Sequence, residues 1–376
     1  GRNGIPSCII WDLETEQPVP FLEDGAASAA AWNDAGDRLA VGDASGEVRI
    51  VQFPAGDRVD RFAVGEPVRR LAFSPDGRWL AAGNEKVCVW DCRKRELQPT
   101  PPAQPRSVRD LGFSSDGSRL LVNSEASGFR DYRVRVYAVE EDASPKLLCE
   151  APHNAFALPA LVARDREMVT VEPLGQLAVW NSTNGVREAT LWRPLDMLLQ
   201  ATAAPGGRSF AAGGQGMFGL KVEPYVGLWD AESRRMAQAL RGAWCTPVAF
   251  GEDGGLLLAG NEQREGRLYC TACGSPESPP LRLQDGASCA AWSRDSRLFA
   301  LGQSDGLIHV WTFPHAPRDH SISAGARVEA AVSADGQFVA SAGQPFLRTS
   351  IACRVYETET GRPAGPASWR RVDRTG

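Results

Sequence analysis

The sequence has few lysines and histidines, and it has no long apolar run. Only four lysines and four histidines occur in 376 residues, and the formal net charge is -5. Proteins that neutralise nucleic-acid phosphates usually carry a strong basic excess, which is missing here. No apolar stretch approaches the ~18 residues of a membrane-spanning helix, and no signal peptide is visible. We therefore expect no nucleic-acid partner and no membrane segment in this stretch of chain.

Catalytic and metal-binding motifs are also scarce. The nine cysteines are odd in number and several lie in apolar runs, which favours reduced, buried thiols and a cytoplasmic location. Cys270 and Cys273 form a lone C-x-x-C without the second pair of a structural zinc site. The glycine-rich segment 213–219 lacks the Lys-Ser/Thr of a phosphate loop and is interpreted as a flexible connection. We predict no enzyme activity, no metal ligand and no cofactor.

A short hairpin pattern is instead repeated along the whole chain. Residues 71–83 read LAFSPDGRWLAAG, in which two short apolar runs flank an Asp-Gly turn. Eight copies align, at intervals of 40 to 49 residues. Their turn positions are Gly36, Gly77, Gly117, Arg166, Gly207, Gly254, Ser296 and Gly336. A fixed period of this length indicates a repeat architecture.

Each copy is followed by a third alternating run, such as KVCVWDC, and by a weaker fourth run. Four strands in roughly 42 residues make one blade of a β-propeller. The sequence therefore predicts an all-β propeller of four-stranded antiparallel blades that occupies residues 1–376 as one domain. The expected repeats are 1–24 (partial), 25–65, 66–104, 105–152, 153–194, 195–243, 244–287, 288–326 and 327–371.

The third runs carry a family resemblance. Ile-Trp-Asp at 10–12, Val-Trp-Asp at 89–91 and Leu-Trp-Asp at 228–230 resemble the signature of the WD-repeat family. The resemblance covers essentially the whole chain and implies a scaffold or sensor that binds proteins. The family's Gly-His dipeptide is absent, so its buried Asp-His-Ser/Thr-Trp network is not expected here. We expect apolar packing between blades to supply most of the stability.

The ends of the chain indicate how the ring closes. Residues 1–22 resemble a third and a fourth strand without a first and second, so the chain has eight hairpins and nine third strands. An eight-bladed ring that recruits terminal strands is the simplest interpretation, because closure removes exposed sheet edges. Seven blades plus part of a neighbouring propeller is the alternative. Starting inside a repeat also suggests that the protein continues upstream. The excess of arginine over lysine suggests a GC-rich coding sequence, and the resemblance to bacterial WD-repeat regions implies the sensor or scaffold part of a larger signalling protein.

The connections between second and third strands suggest where function lies. They are long in units three, five, six and eight, and loops on a rigid scaffold commonly carry function. Aromatic residues, Met and Arg are enriched at interfaces. The candidate partner-binding residues are Phe129, Arg130, Tyr132, Met217, Phe218, Tyr225, Phe346 and Arg348. The alternative function is a propeller enzyme or small-ligand binder that uses charged channel residues, namely Arg69, Arg70, Arg109, Asp110 and Glu329.

Overall fold

The fold is that of a computed structural model. It describes residues 9–12, 17–19, 27–53, 58–99, 101, 106–125, 132–153, 160–162, 165–172, 176–191, 197–218, 221–241, 243–260, 265–283, 287–303, 307–313, 320–323, 328–332, 338–343 and 354–355. These residues form β-strands and one short 3-10 helix, Pro205–Gly207. No helix in this part of the chain has the length and apolarity to cross a membrane.

The strands form eight antiparallel sheets, which we number as blades. Blade one contains β3 (Ala27–Trp32), β4 (Arg38–Asp43), β5 (Glu47–Gln52) and β6 (Arg58–Ala63). Blade two contains β7 (Arg70–Phe73), β8 (Trp79–Gly83), β9 (Val87–Asp91) and β10 (Glu96–Leu97). Blade three contains β11 (Arg106–Phe113), β12 (Arg119–Glu125), β13 (Tyr132–Ala138) and β14 (Lys146–His153). Blade four contains β15 (Ala160–Val162), β16 (Glu167–Val171), β17 (Leu177–Asn181) and β18 (Arg187–Leu191).

The second half of the chain repeats this arrangement. Blade five contains β19 (Met197–Ala203), β20 (Ser209–Phe218), β21 (Lys221–Asp230) and β22 (Arg235–Arg241). Blade six contains β23 (Trp244–Phe250), β24 (Leu256–Gly260), β25 (Glu265–Cys270) and β26 (Leu281–Arg282). Blade seven contains β27 (Ala287–Trp292), β28 (Leu298–Gln303), β29 (Leu307–Thr312) and β30 (His320–Ser323), with β33 (Arg354–Val355) added at its edge.

Blade eight is built from both ends of the chain. Its first two strands are β31 (Val328–Val332) and β32 (Phe338–Gly343), and its outer strands are β1 (Ile9–Asp12) and β2 (Gln17–Val19). The register pairs Ile9 with Ser341 and Asp12 with Phe338. The innermost strands of blade eight contact those of blade seven on one side and of blade one on the other. The expected recruitment of terminal strands is confirmed, and β33 contains the surplus third strand.

Apolar packing between neighbouring blades forms the core, as the sequence predicted. Each major cluster of buried side chains combines residues of two adjacent blades. For example, Phe62 of blade one stacks on Trp90 of blade two, with 4.4 Å between ring centroids. Glycines near the ends of β4 and β8 lie where the next blade approaches closely. A Cβ at Gly42 would lie 2.6 Å from the Cβ of Val68.

In blades two, three and seven, the first hairpin is held by a buried serine two residues before the turn aspartate. In blade two, the Ser74 hydroxyl donates to Asp76 Oδ1 at 2.6 Å and accepts the Trp79 N–H at 2.9 Å. Gly77 then adopts a φ of 66°, which glycine tolerates without strain. Ser114 and Ser293 make the same pair of contacts in blades three and seven. The interpretation of Asp76 as a turn residue is confirmed.

The aspartate of the Trp-Asp pair organises a second turn, between the third and fourth strands. Asp91 Oδ1 accepts the N–H groups of Arg93 and Lys94, and its carbonyl accepts the Arg95 N–H. The fourth residue after this position has positive φ in the turns of blades two to six. These residues are Arg95, Asp142, Gly185, Arg234 and Gly274. One turn geometry therefore recurs while its side chains vary.

The family's histidine network is absent from the described residues, and other polar contacts link some of the blades. The buried indole N–H groups of Trp90 and Trp229 have no hydrogen-bond acceptor, while Trp180 donates to Thr170 at 2.9 Å. Arginines of the turns instead reach adjacent blades. Arg234 of blade five donates to Glu167 at 2.8 Å and to Glu188, both in blade four.

Two sequence predictions were wrong in detail. In blade four the residue with positive φ is Asp165 and not Arg166. Leu161 pairs with Met168 as Phe73 pairs with Leu80, so the hairpins have equal length and Asp165 is the equivalent of Gly77. The segment 213–219, expected to be a flexible connection, is largely strand. Residues of β20 pair with β21 as far as Phe218 and Lys221. Glycines can continue a ladder when a β-favouring partner strand supplies the complementary hydrogen bonds.

We predict that Ser74→Ala lowers the free energy of unfolding by about 2 kcal/mol, because it leaves the buried Trp79 N–H without its serine acceptor. Ser233→Ala is the matched control, since the Ser233 hydroxyl also donates to a turn aspartate but is exposed. It should change stability by less than about 0.5 kcal/mol. Urea unfolding measures both values, and equal effects would contradict the role given to the buried serine.

We predict that Arg234→Met destabilises the protein by about 1 to 2 kcal/mol, because it leaves the partly buried Glu167 carboxylate without its cation. The adjacent exposed Arg235 provides the control, Arg235→Met, which should be nearly neutral. Asn181 and Arg234 hold the pKa of Glu188 below its usual value. The stabilisation that ionised Glu188 gives the folded protein is fully present above its usual pKa, and it is lost as the pH falls through the lowered pKa. The difference between wild type and Arg234→Met should therefore shrink in acid, and a constant difference would contradict this account.

Candidate functional site

The alternating strand directions give the propeller two different faces. All first-to-second-strand hairpins, including the Asp-Gly turns, leave one face, which we call the turn face. All second-to-third-strand connections leave the other, which we call the loop face. In blades one to seven, the second strands that border these connections end at Asp43, Gly83, Glu125, Val171, Phe218, Gly260 and Gln303. Any partner contact through the long connections must therefore occur on the loop face.

Blade five has the longest described projection on the loop face. Most second strands contain five to seven residues, whereas β20 contains ten and β21 matches it. The five residues after Gly213 extend the hairpin by roughly 16 Å at ~3.3 Å per residue. Met217 and Phe218 lie in the last described part of this extension, paired with Val222 and Lys221. We call residues 214–218 and 221–224 the hairpin arm.

Tyr225 lies at the base of this arm but does not belong to its surface. Its side chain is 0% exposed and packs in the core cluster that joins blades four and five. The sequence placed it in a loop, whereas it pairs with Gly214 and Arg241 inside the sheet. A partner bound at the surface has no access to this ring, so Tyr225 is not part of the candidate surface.

Tyr132 is another described candidate. It lies beside arginines that the sequence analysis named as possible channel residues. It opens β13 and is half-buried. The Arg109 guanidinium lies 5.9 Å from the centroid of its ring, within the range of a cation–π contact. Arg109 is exposed, and β11 has register shifts on both sides of Val108. Such bulges redirect side chains, which helps to explain why Arg109 reaches a third-strand residue.

Two further arginines continue this cluster into blade two. Arg70 Nε donates to the Arg109 carbonyl at 2.6 Å, and its Nη1 donates to the Arg69 carbonyl at 2.8 Å. Arg69 is exposed and Arg70 is half-buried. We call Arg69, Arg70, Arg109 and Tyr132 the basic-aromatic patch. All four residues were candidates from the sequence, but they belonged to two separate sets that only the fold brings together.

Several other candidates lie outside the described residues. These are Phe129, Arg130, Phe346 and Arg348 of the predicted partner-binding set. Among the charged channel candidates, Asp110 borders a cavity of about 290 Å³ that is also lined by residues of blades four and five. Asp165, another lining residue, already accepts hydrogen bonds from the Ser115 N–H and hydroxyl. This carboxylate is therefore committed to a contact between blades.

The cysteines divide into two environments. Burial raises the pKa of Cys92 to about 12 and that of Cys149 to about 11, so both stay protonated at neutral pH. Cys273 is exposed, and hydrogen bonds from Ser275 lower its pKa. Cys270 is half-buried at the end of β25. The expected buried thiols are found in blades two and three, whereas the two thiols of the C-x-x-C are half-buried and exposed.

Comparisons with known proteins agree with the repeat pattern. The family model "WD domain, G-beta repeat" matches residues 62–91 and 282–312. RACK1, a small ribosomal subunit protein of Trypanosoma brucei brucei, is 28% identical over 116 residues, or 29% of this chain and 35% of that protein. The WD repeat and SOCS box-containing protein 1 of Mus musculus is 24% identical over 65% of this chain and 59% of that protein. Its Danio rerio counterpart is 24% identical over 72% of this chain and 68% of that protein.

The chain thus spans about a third of the RACK1 relative and somewhat more than half of the mouse relative. The matched segments at 62–91 and 282–312 contain the third strands of blades two and seven. Both strands carry the Trp that resembles the family signature. The similarity therefore rests on the same strands that build the blades.

We predict that Cys273 reacts with iodoacetamide much faster than Cys92 and Cys149, because its thiolate is more populated and it is exposed. Mass spectrometry of the native protein after brief labelling measures the rates for each residue. Labelling after denaturation provides the control, since it should remove the difference. Equal native rates would contradict the assigned environments.

Proposed function

We propose, from the premise that this chain is a WD-repeat β-propeller, that it is a non-catalytic scaffold that binds a protein or peptide partner on its loop face. The family and the fold are those of protein-interaction scaffolds. The choice of face rests on one observation, the contact between exposed Arg109 and half-buried Tyr132, which is flanked by Arg69 and Arg70. Arginine and tyrosine are enriched among the residues that dominate binding energies.

The charge of the basic-aromatic patch suggests the chemistry of the partner. Among the described residues, neither Arg69 nor Arg109 has a carboxylate within ion-pair distance, and both side chains are exposed. By contrast, nearby Lys86 is paired with Glu66 at 3.3 Å. Unpaired guanidinium groups favour carboxylates, with which they form two parallel hydrogen bonds. We therefore propose that the bound segment of the partner is acidic.

The hairpin arm supplies a second proposed contact on the same face. Its ladder continues past β19, which pairs with β20 only as far as Gln215. Met217 and Phe218 are the apolar residues of this extension, and apolar and aromatic residues commonly fill the centre of an interface. Phe129 and Arg130 follow β12 in the sequence, and Phe346 and Arg348 follow β32; all four remain proposed contacts. The partner would thus bind across several blades.

Photocrosslinking tests which face binds the partner, because a photoreactive residue captures only a protein that lies next to it. A photoreactive amino acid is placed at Tyr132 on the loop face and, as a matched control, at Arg235 on the turn face. The expected result is a discrete protein adduct from position 132 that is absent from position 235. The same adducts from both positions would contradict the choice of face.

We predict that the charge reversal Arg69→Glu plus Arg109→Glu weakens binding of that partner by at least roughly tenfold, because carboxylates would then oppose carboxylates. Arg235→Glu, an exposed reversal on the turn face, should leave the affinity within about twofold. Calorimetry at two salt concentrations measures both the affinity and its expected decrease with salt. If the double reversal binds as tightly as wild type, the basic-aromatic patch is not the site.

A further inference from the structure

The C-x-x-C of blade six occupies a turn whose geometry is known from the other blades. Cys270 stands where blades two and five have the aspartate of Trp-Asp, namely Asp91 and Asp230. Cys273 is three residues later, the position of Ser233 in blade five. In that blade the Ser233 hydroxyl lies 2.6 Å from Asp230 Oδ1. The repeated turn therefore brings these two side chains into contact, and blade six has a thiol at both positions.

Backbone hydrogen bonds fix the turn in blade six as they do elsewhere. The Gly274 N–H donates to the Cys270 carbonyl at 2.8 Å, and Gly274 has a φ of 73°. The Cys270 N–H donates to the Ser275 carbonyl, also at 2.8 Å. The two thiols are therefore held near each other by the backbone, and their proximity does not depend on a bound ion.

The returning chain adds a third potential ligand that spacing alone did not reveal. Glu277 is aligned by its N–H, which donates to the Leu268 carbonyl at 2.8 Å, and by the bridge between Tyr269 and Pro276. The two sulfur atoms and a Glu277 carboxylate oxygen all lie within 4.8 Å of one another. The Ser275 hydroxyl contacts both Cys273 Sγ and Glu277 Oε1 at 2.9 Å.

We propose that Cys270, Cys273 and Glu277 bind a thiophilic divalent cation of the Zn²⁺ class on the turn face. Two thiolates and a carboxylate are ligands that Zn²⁺ accepts, and water would complete a tetrahedral site. Bound ligand atoms would be about 3.5 to 3.8 Å apart, as Zn–S and Zn–O lengths of about 2.3 and 2.0 Å require. Cys273 and Glu277 are exposed, so small side-chain rotations can close the remaining distance.

The site differs from a structural zinc site, which needs four protein ligands. The C-x-x-C supplies two ligands and Glu277 a third, so the site has an open position for water or for a group of another molecule. It lies on the turn face, and its occupancy is therefore independent of the basic-aromatic patch on the loop face. If the protein binds no metal at this site, the proposed function on the loop face is unaffected.

Titration of the reduced, metal-free protein with Co²⁺ tests the proposal. The expected result is one equivalent bound per chain, with the absorption of a thiolate-to-cobalt charge transfer, and displacement of the cobalt by Zn²⁺. Cys273→Ser should abolish this absorption, and Glu277→Gln should weaken binding by roughly tenfold. Cys88→Ser, a half-buried thiol in blade two, and Glu232→Gln, an exposed carboxylate in the blade-five turn, are the matched controls and should bind like wild type.

Protection from alkylation gives a readout that does not rely on cobalt spectra. Stoichiometric Zn²⁺ should slow the labelling of Cys273 at least tenfold, and Glu277→Gln should reduce this protection. Circular dichroism of each variant shows whether it is folded. The proposal is overturned if the reduced, folded wild type binds no cobalt, or if Cys273→Ser keeps the charge-transfer absorption. It is also overturned if Zn²⁺ leaves the labelling rate of Cys273 unchanged.

Discussion

The ladder between β1 and β32 is the constraint on which the rest of the structure depends. It joins strands that are more than 320 residues apart in the sequence and completes the eighth blade. Without it, the outer edge of β32 would be unpaired, and exposed strand edges favour aggregation. Closure also fixes the spacing between blades, because each first strand must contact those of both neighbouring blades. That spacing requires a glycine at position 42, because a Cβ there would overlap the Val68 side chain of the next blade.

Within this ring, polar groups serve mainly to fix turns and to join adjacent blades. The carboxylate of Asp91 is used almost entirely by its own turn and by Arg78. Arg234 has a positive φ, which is strained for a residue with a side chain, and its guanidinium contacts two glutamates of the preceding blade. Blades four and six have glycine at the equivalent position, where no side chain reaches across. Ionic contacts therefore add to an apolar framework that is shared by all blades.

The four-stranded blades and the recruitment of terminal strands could be predicted from the sequence, because hairpin chemistry is local. Asp-Gly turns, alternating third strands and one more third strand than hairpins are visible without a structure. The hairpin arm was missed because its strand β20 is rich in glycine, and glycine has little intrinsic preference for strands. Its order depends on β21, so only the pairing reveals it. The single-residue shift in blade four was missed because its turn contains no glycine.

The candidate sites were predictable only in part, for a related reason. Arg109 and Tyr132 belong to different strands, and a bulge in β11 is needed to bring them together. Glu277 reaches Cys270 and Cys273 through an irregular return of the chain that no motif describes. In both cases the sequence identified individual side chains, and the fold determined which of them share a surface. Because the two proposed surfaces lie on opposite faces of the ring, a partner bound as proposed at the loop face would leave the turn face accessible to another molecule.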